Sequence, residues 1–331
     1  MKQFVVQQNE AGQRLDKLLV KLLNKAPKSF IYKMLRKKNI VLNGKKALGS
    51  EILALQDEIK LFLSDETIAN FSELVDTTNV EHNLDVIYED KHILIINKPL
   101  GILSQKAVKE DVSIVEHIIS YLLSTNQLTN EQLASFKPGI CNRLDRNTSG
   151  LLIAGKSLYG LQEMSRLLKE RTLGKYYICI VKGKIEQKKR IEGYLSKDEA
   201  KNIASISEKP TEDSDYICTE YVPLSYESHK QEETDLPKGS FTLLQVKLIT
   251  GRSHQIRAHL ASIGHPLIGD FKYGDQKMNH FFKLHYGLSH QLLHSCRMVF
   301  PELNGELSYL SGKEYSAEES ELFRRIKKDI F

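Results

Sequence analysis

Two short segments of this 331-residue chain concentrate charged and hydroxyl side chains beside apolar runs. In the first, Arg143 and Asp145 lie two residues apart, and Thr148-Ser149-Gly150 leads into the apolar run Leu151–Ala154. Charged groups next to a core strand are costly to bury unless they are paired. The residues alone therefore leave two readings open, a functional carboxylate or a structural ion pair.

The second segment, Leu248–Leu260, predicts a strand that enters a glycine turn and then a helix, with Arg252 at the start of the helix. His254 and His259 are five residues apart, whereas a zinc helix of the HExxH type needs a spacing of four to place both imidazoles on one face. A metal site is therefore disfavoured. An ion-pair network again remains the alternative to a functional site.

Several other kinds of active site are excluded by their missing motifs. The chain has no GxxxxGK[ST] loop, no GxGxxG after a strand and no GxSxG elbow, so NTPase, dinucleotide and hydrolase sites are not expected. Its four cysteines form no CxxC pair, which argues against a disulfide framework and a zinc knuckle. These cysteines are Cys141, Cys179, Cys218 and Cys296.

The composition is that of a soluble globular protein, with 41% hydrophobic and 27% charged residues. A length of 331 residues predicts two domains. No apolar run is long enough to span a membrane, and the N-terminal residues lack the apolar stretch of a secretory signal. We therefore expect a cytoplasmic protein.

The positive charge is concentrated near the N-terminus. The net charge is +5, yet residues 12–62 hold twelve basic and four acidic side chains, which leaves −3 for the rest of the chain. This asymmetry favours a polyanionic partner such as nucleic acid. The alternative is a solvated helix face.

The basic segment also has the pattern of a small folded unit. Ser29 can cap a second helix after Pro27. Ile40–Leu42 predicts a strand, and Asn43-Gly44 supplies the positive φ angles of a tight hairpin. A first amphipathic helix is indicated by the spacing of Leu15, Leu18, Leu19, Leu22 and Leu23.

Residues 64–83 contain no Lys or Arg and are interpreted as an acidic linker. After them, Val86–Tyr88 and Ile93–Ile96 predict a pair of strands. Three polar stretches are interpreted as surface loops. These are Lys182–Lys201, Ser207–Asp215 and Glu227–Gly239.

The basic segment resembles the S4 RNA-binding module. The resemblance rests on Gln13–Lys17, Ser29–Lys38 and Ile40–Lys45. It implies that the second helix and the following turn present cations to RNA phosphates, which is the contact that makes binding salt-dependent. The candidate RNA-binding residues are Lys33, Arg36, Lys37, Lys38, Lys45 and Lys46.

The rest of the chain resembles the RluA-type pseudouridine synthases in five elements that occur in the family's order. The family usually has His where this chain has Asn142, which changes the local hydrogen bonding but not the catalytic group. The matching elements are Asn97–Gly101, Asn142–Leu152, Lys175–Val181, Thr250–Arg257 and Gly264–Gly274.

The resemblance implies an α+β fold. We expect an S4 domain of two helices and a short sheet at residues 12–63, and a linker at 64–83. A catalytic domain with a mixed, mostly antiparallel sheet should follow at 84–331. We expect a monomer.

The implied activity is isomerisation of uridine to pseudouridine in RNA, without a cofactor or metal. Asp145 is the expected catalytic carboxylate, either as a nucleophile at C1′ or as a base at C2′. Arg252 is expected to pair with it, and Tyr177 to lie against the uracil. Arg143 and Arg257 are expected to bind substrate.

The S4 module favours large-subunit ribosomal RNA as the substrate. Two alternatives stay open, namely the same chemistry on transfer RNA and a non-catalytic RNA-binding or ribosome-assembly factor that kept the fold.

Overall fold

A computed structural model describes residues 1–72, 80, 83–229, 237 and 239–331. In chain order its helices are α1 (Leu15–Leu22), α2 (Lys28–Arg36), α3 (Asp65–Phe71), α4 (Ile114–Ser124), α5 (Asn130–Ser135), α6 (Leu158–Glu170), α7 (Gln255–Ser262), α8 (Gln276–Tyr286) and α9 (Glu321–Ile330), with a 3₁₀ helix at Gly305–Leu310. Its strands are β1 (Lys2–Val5), β2 (Ile40–Leu42), β3 (Lys45–Lys46), β4 (Glu58–Leu61), β5 (Asp85–Glu89), β6 (Ile93–Lys98), β7 (Gly139–Ile140), β8 (Ser149–Gly155), β9 (Gly174–Lys182), β10 (Lys189–Asp198), β11 (Ile203–Ser207), β12 (Asp215–His229), β13 (Gly239–Leu248), β14 (Leu293–Val299) and β15 (Glu314–Ser316).

The N-terminal strands form one small antiparallel sheet in the order β1-β4-β2-β3. Helices α1 and α2 cover it, and the predicted leucines of α1 pack into its core. Asn43 (φ 50°) and Gly44 (φ 72°) form the hairpin between β2 and β3, as their sequence predicts. This segment therefore contains two helices and a small antiparallel sheet.

The start of α2 differs from the prediction. The helix begins at Lys28, so its N-cap is Pro27 and Ser29 already lies inside the first turn. The extended backbone of Pro27, with ψ 144°, is the geometry that an N-cap needs. Pro27 is therefore the N-cap residue of α2, although it provides no side-chain hydrogen bond to the first turn.

The interpretation of residues 64–83 as a linker is wrong at its beginning, where Asp65–Phe71 forms α3. The Ser64 hydroxyl accepts from the Thr67 N–H at 3.1 Å, and Asp65 and Glu66 lie in the first turn, where helix polarity favours acids. The Phe71 ring then lies 4.5 Å from that of Phe30. Residues 73–79 and 81–82 of the expected linker lie outside the described residues.

The larger sheet has the order β11-β10-β12-β13-β9-β14-β8-β6-β5, with β7 and β15 paired at its side. The pairs are antiparallel except for β14 with β8, which run parallel. Along β9, Tyr177, Cys179 and Val181 face one apolar cluster, whereas Ile180 faces another. The mixed, mostly antiparallel sheet expected for this region is confirmed.

The parallel pair depends on Gly150, which has φ +112°. A Cβ at this position would lie 2.3 Å from the backbone oxygen of Ser295, so only glycine permits this approach. Next to it, Ser149 Oγ lies 2.9 Å from His294 Nδ1, and His294 Nε2 lies 3.0 Å from the carbonyl of Ala317. These contacts fix the end of the loop that carries Asp145.

All three stretches interpreted as surface loops include residues of sheet strands. Lys189–Asp198 is β10, whose Ile191 and Leu195 are buried, so Arg190 and Glu192 occupy the other face of a strand. Asp215 begins β12. In the third stretch, Glu227–His229 ends β12 and Gly239 begins β13, while residues 230–236 and 238 lie outside the described residues.

The two units touch through side chains at the start of the chain. Ser135 Oγ donates to Glu10 Oε1 at 2.7 Å in a buried hydrogen bond, and Asn9 Oδ1 accepts from the Leu158 N–H at 3.2 Å. No helix in the described part of the chain is both long and apolar enough to cross a bilayer.

Candidate active site

Asp145 lies in the loop between β7 and β8, at the wall of a cavity of about 500 Å³. Ser104 holds the preceding residue, because its hydroxyl donates to the Leu144 carbonyl at 2.7 Å and accepts from the Leu144 N–H at 3.0 Å. The Thr148 N–H closes the turn on the Asp145 carbonyl at 3.1 Å. The Asp145 side chain is one-quarter exposed, so its carboxylate remains accessible from the cavity.

The cation that binds this carboxylate is Arg257. Its Nη1 donates to Asp145 Oδ2 at 2.9 Å, while Nε and Nη2 hold Asp270 at 2.7 and 3.0 Å. Burial opposes the charge, but the hydrogen bonds to both carboxylates outweigh it and raise the pKa of Arg257. A guanidinium fixed on Asp270 can thus position Asp145 without free rotation.

Asp270 is fully buried and acts as the anchor of this network. Its Oδ1 also accepts from the backbone N–H groups of Lys272 and Tyr273 at 2.9 and 3.1 Å. Burial alone would raise the pKa of Asp270, yet the Arg257 guanidinium and these N–H groups lower it. Asp270 is therefore an ionised carboxylate whose two oxygens both accept hydrogen bonds.

The expected pair between Arg252 and Asp145 is wrong. Arg252 Nη2 instead lies 2.8 Å from Asp215 Oδ1, with both side chains about half exposed at the cavity mouth. Arg257 was expected to bind substrate, but its guanidinium instead binds the carboxylates of Asp145 and Asp270. Arg252 precedes α7, whereas Arg257 lies within the helix and faces inward.

Tyr177 lines the same cavity and is almost completely buried. Burial raises the pKa of its hydroxyl, and the negative charge of Asp145 adds to the effect. Tyr176, the next residue of β9, faces the other side, with its ring 4.0 Å from the Arg297 guanidinium carbon. The alternation of the strand therefore decides which tyrosine reaches the cavity.

His254 is a cavity residue that the sequence suggested only as a disfavoured metal ligand. It has φ 57° at the N-cap of α7, and its Nδ1 lies 2.8 Å from the hydroxyl of Tyr273, which accepts from the Ala204 N–H at 2.7 Å. On the other side of the imidazole, Nε2 lies 3.9 Å from Asp145 Oδ2. Burial lowers the pKa of His254.

Lys98 was also missed. Lys98 lies opposite Gly150 in the pairing of β6 with β8. The residue is fully buried, and its Nζ donates to the carbonyls of Pro99 and Arg146 at 2.7 and 3.2 Å. Burial lowers the pKa of Lys98 to about 8, against the opposing attraction of Asp145. Lys98, His254 and Asp270 all lie inside the sequence elements that resemble the RluA-type family. That position was the sequence feature that could have marked them as site residues.

Asn142, the departure from the family pattern, has a structural position. Its Oδ1 accepts from the Ile153 N–H at 2.8 Å, and Nδ2 donates to the Leu151 carbonyl at 3.4 Å. The amide therefore clamps its own loop onto β8. Both contacts are to backbone, so they need one donor and one acceptor but no titrating group.

The cavity is strongly basic. Within the described part of the chain, six Lys or Arg side chains and one carboxylate, Asp145, line it. The exposed Arg143 is among the cations and has no ion-pair partner among the described residues. Such a lining suits a polyanionic substrate. The six cations are Arg143, Lys169, Arg171, Lys175, Arg252 and Arg257.

The N-terminal unit presents a second set of cations. The buried face of α2 consists of Ile31, Met34 and Leu35, and the basic residues occupy its exposed face and the following turns. All six expected RNA-binding side chains are exposed, and none has a partner within the described ranges. They are Lys33, Arg36, Lys37, Lys38, Lys45 and Lys46.

The family model described as RNA pseudouridylate synthase matches residues 92–262, which span Asp145, Tyr177 and Arg257. The chain is also 30% identical over 302 residues to an uncharacterized RNA pseudouridine synthase of Mycoplasma pneumoniae, covering 91% of this chain and 89% of that protein. This chain belongs to the RNA pseudouridylate synthase family.

Two further comparisons agree with this membership. The ribosomal large subunit pseudouridine synthase C of Rickettsia bellii is 32% identical to this pseudouridine synthase over 304 residues, with 88% of this chain and 93% of the relative covered. Human RNA pseudouridylate synthase domain containing 4 superposes with a TM-score of 0.55 at 18% identity, over 74% of this chain and 92% of the human chain, and so shares the fold. The RluA-type resemblance is confirmed.

Proposed function

We propose that this pseudouridine synthase converts uridine to pseudouridine in large-subunit ribosomal RNA, with Asp145 as the catalytic carboxylate and no cofactor. The observation that carries the proposal is the ion pair between Asp145 and Arg257, which presents a fixed carboxylate to a basic cavity beside Tyr177. The substrate class is supported by the printed function of the Rickettsia bellii relative and by the exposed cations of the N-terminal unit.

The reaction breaks the bond between C1′ and N1 and forms a bond between C1′ and C5. N1 gains a proton and C5 loses one, so the change is an isomerisation with no net gain or loss of electrons. The target base must leave the RNA stack to reach the cavity. Asp145 serves this chemistry by attacking C1′ or by removing the proton at C2′, and both routes remain alternatives.

Tyr177 is assigned to the base. Its buried ring offers a stacking surface, and its hydroxyl stays protonated at neutral pH because burial raises its pKa. Arg143 is assigned to the RNA backbone at the cavity mouth. Arg257 is a positioning residue for Asp145, a role first expected of Arg252.

Residues 12–63 are proposed to act as an S4 module that brings the RNA to the catalytic unit, residues 84–331. Its six exposed cations are the phosphate contacts of this proposal. The enzyme would then meet ribosomal RNA in the cytoplasm. Transfer RNA remains the alternative substrate, and the monomer stays a prediction.

Mapping pseudouridines in ribosomal and transfer RNA from cells with and without this chain tests the proposal. We expect at least one large-subunit position to lose pseudouridine without the chain, to regain it with wild type and not with Asp145→Asn. That substitution keeps the volume and removes the charge, so RNA binding should persist. An unchanged map would support the non-catalytic factor, and loss confined to transfer RNA would reassign the substrate.

A further inference from the structure

Lys175 is a buried cation without a counter-charge. The residue is only 8% exposed, and among the described residues its Nζ has neither a carboxylate nor a hydrogen-bond acceptor. Burial lowers the pKa of Lys175, and repulsion from Arg171, another cation, lowers it further. Buried charges in proteins are normally paired, because desolvation is otherwise uncompensated.

Several other cations of the catalytic unit have partners, whereas the unpaired Arg143 is exposed. Arg257 has two carboxylates, Arg252 has Asp215, and Lys182, at the far end of the same strand, has Asp275 at 2.5 Å. Lys175 has no partner among the described residues although it is more buried than Lys182. The missing partner is therefore best supplied from outside the chain, by an anion.

The position of Lys175 faces the reaction. It lies two residues before Tyr177 on β9, so both side chains share a face and their Cα atoms are roughly 6.6 Å apart. A Cβ on Gly251 would lie 3.4 Å from Lys175 Nζ, which places the ammonium beside the exposed turn at the cavity mouth. Arg171 lines the same cavity. On β9 a single residue separates Lys175 from Tyr177, whose ring is assigned to the base.

We propose that Lys175 and Arg171 form a phosphate subsite that binds the RNA backbone next to the uridine held against Tyr177. This inference rests on the proposed function and extends it by naming where one backbone phosphate is bound. A phosphate can accept from a guanidinium and an ammonium at once, and its charge offsets the repulsion between them. A base edge or a sugar carries no charge and cannot do so.

The first test measures equilibrium binding of the full-length protein to a large-subunit ribosomal RNA transcript at several salt concentrations. Lys175→Met keeps the apolar stem and removes the charge. We expect Kd to rise about tenfold, and the slope of log K against log salt to fall by about 0.7, the value for one phosphate on a single strand. Lys283→Met, an exposed cation of α8 away from the cavity, is the charge-matched control and should change neither.

The second test uses uridine and uridine 5′-monophosphate as competitors of the transcript. Wild type should bind the nucleotide more tightly than the nucleoside, and Lys175→Met should lose that preference. Arg171→Gln, an exposed position, provides the same test if Lys175→Met does not fold. Binding and competition that match Lys283→Met for both variants would overturn the subsite. Binding is measured without turnover, so the proposed function and the subsite can fail separately. If the wild-type protein made no pseudouridine but Lys175→Met still lowered the salt slope, the proposed function would be rejected and the subsite retained.

Discussion

Arg257 donates from Nη1 to Oδ2 of Asp145 at 2.9 Å, and Nε and Nη2 of the same guanidinium donate to the buried Asp270. The carboxylate at the cavity is therefore oriented through a cation that is itself held by a second carboxylate. A network of this kind positions a reactive group more tightly than a single surface ion pair would.

Replacement of Arg257 by Lys should damage catalysis because one ammonium cannot reproduce a fork that serves two carboxylates. We expect kcat to fall about 10²-fold, the cost of misplacing a reacting group by about 1 Å, with RNA affinity retained. Single-turnover rates on saturating RNA provide the measurement. Arg252→Lys, which alters only the exposed pair with Asp215, should stay within about threefold of wild type. If Arg252→Lys were the more damaged variant, the assignment of the two arginines would be reversed.

Tyr177→Phe separates the ring from the hydroxyl. The ring should still stack, but a group near the C5 proton is lost, and we expect a kcat about 10²-fold lower at unchanged KM, the lower range for a proton-transfer group. Tyr176→Phe removes a hydroxyl from the opposite face of β9 and should leave both constants as in wild type. Full activity of Tyr177→Phe would mean that the ring alone matters.

The double variant Lys45→Gln/Lys46→Gln tests the N-terminal unit. Each lost phosphate contact should reduce the salt slope by about 0.7, so the pair should reduce it by about 1.4, while kcat at saturating RNA is unchanged. Lys188→Gln/Lys189→Gln removes two adjacent exposed lysines from the catalytic unit and is the matched control. Filter binding across a salt series measures both, and equal slopes for the two pairs would remove the S4 proposal.

His259 should make the protein acid-sensitive. It is buried against Thr219, with Nδ1 3.0 Å from the hydroxyl, and burial lowers its pKa to about 4. An unfolded imidazole titrates near 6.5, so below that pH the unfolded chain binds the proton first and the native state loses stability. Between pH 7 and pH 5 this group should remove about 2 kcal/mol from the free energy of unfolding.

Urea unfolding of wild type and His259→Gln at the two pH values measures this contribution. The variant should lack that part of the acid sensitivity, whereas His285→Gln, at an exposed helix position, should follow wild type. Parallel pH dependence of wild type and His259→Gln would contradict the prediction.

Local patterns predicted several elements correctly. The leucine spacing of α1, the Asn43-Gly44 hairpin and the strand pair β5 and β6 all depend on residues close in the chain. The prediction of a linker missed α3. Its short apolar face is stabilised by the contact of Phe71 with Phe30, a residue distant in the chain, and local sequence does not show that contact.

The sequence by itself determined the chemical groups, namely a carboxylate at 145, a tyrosine on a strand and arginines beside a glycine turn. Only the tertiary structure decided which arginine meets the carboxylate, since Arg252 and Arg257 are five residues apart and the direction of each depends on where α7 begins and packs. It likewise decided that Asp270 and Lys98 are buried beside Asp145 and that Lys175 has no counter-charge among the described residues. Burial and pairing are properties of residues distant in the chain, and they arise only when the sheet brings those residues together.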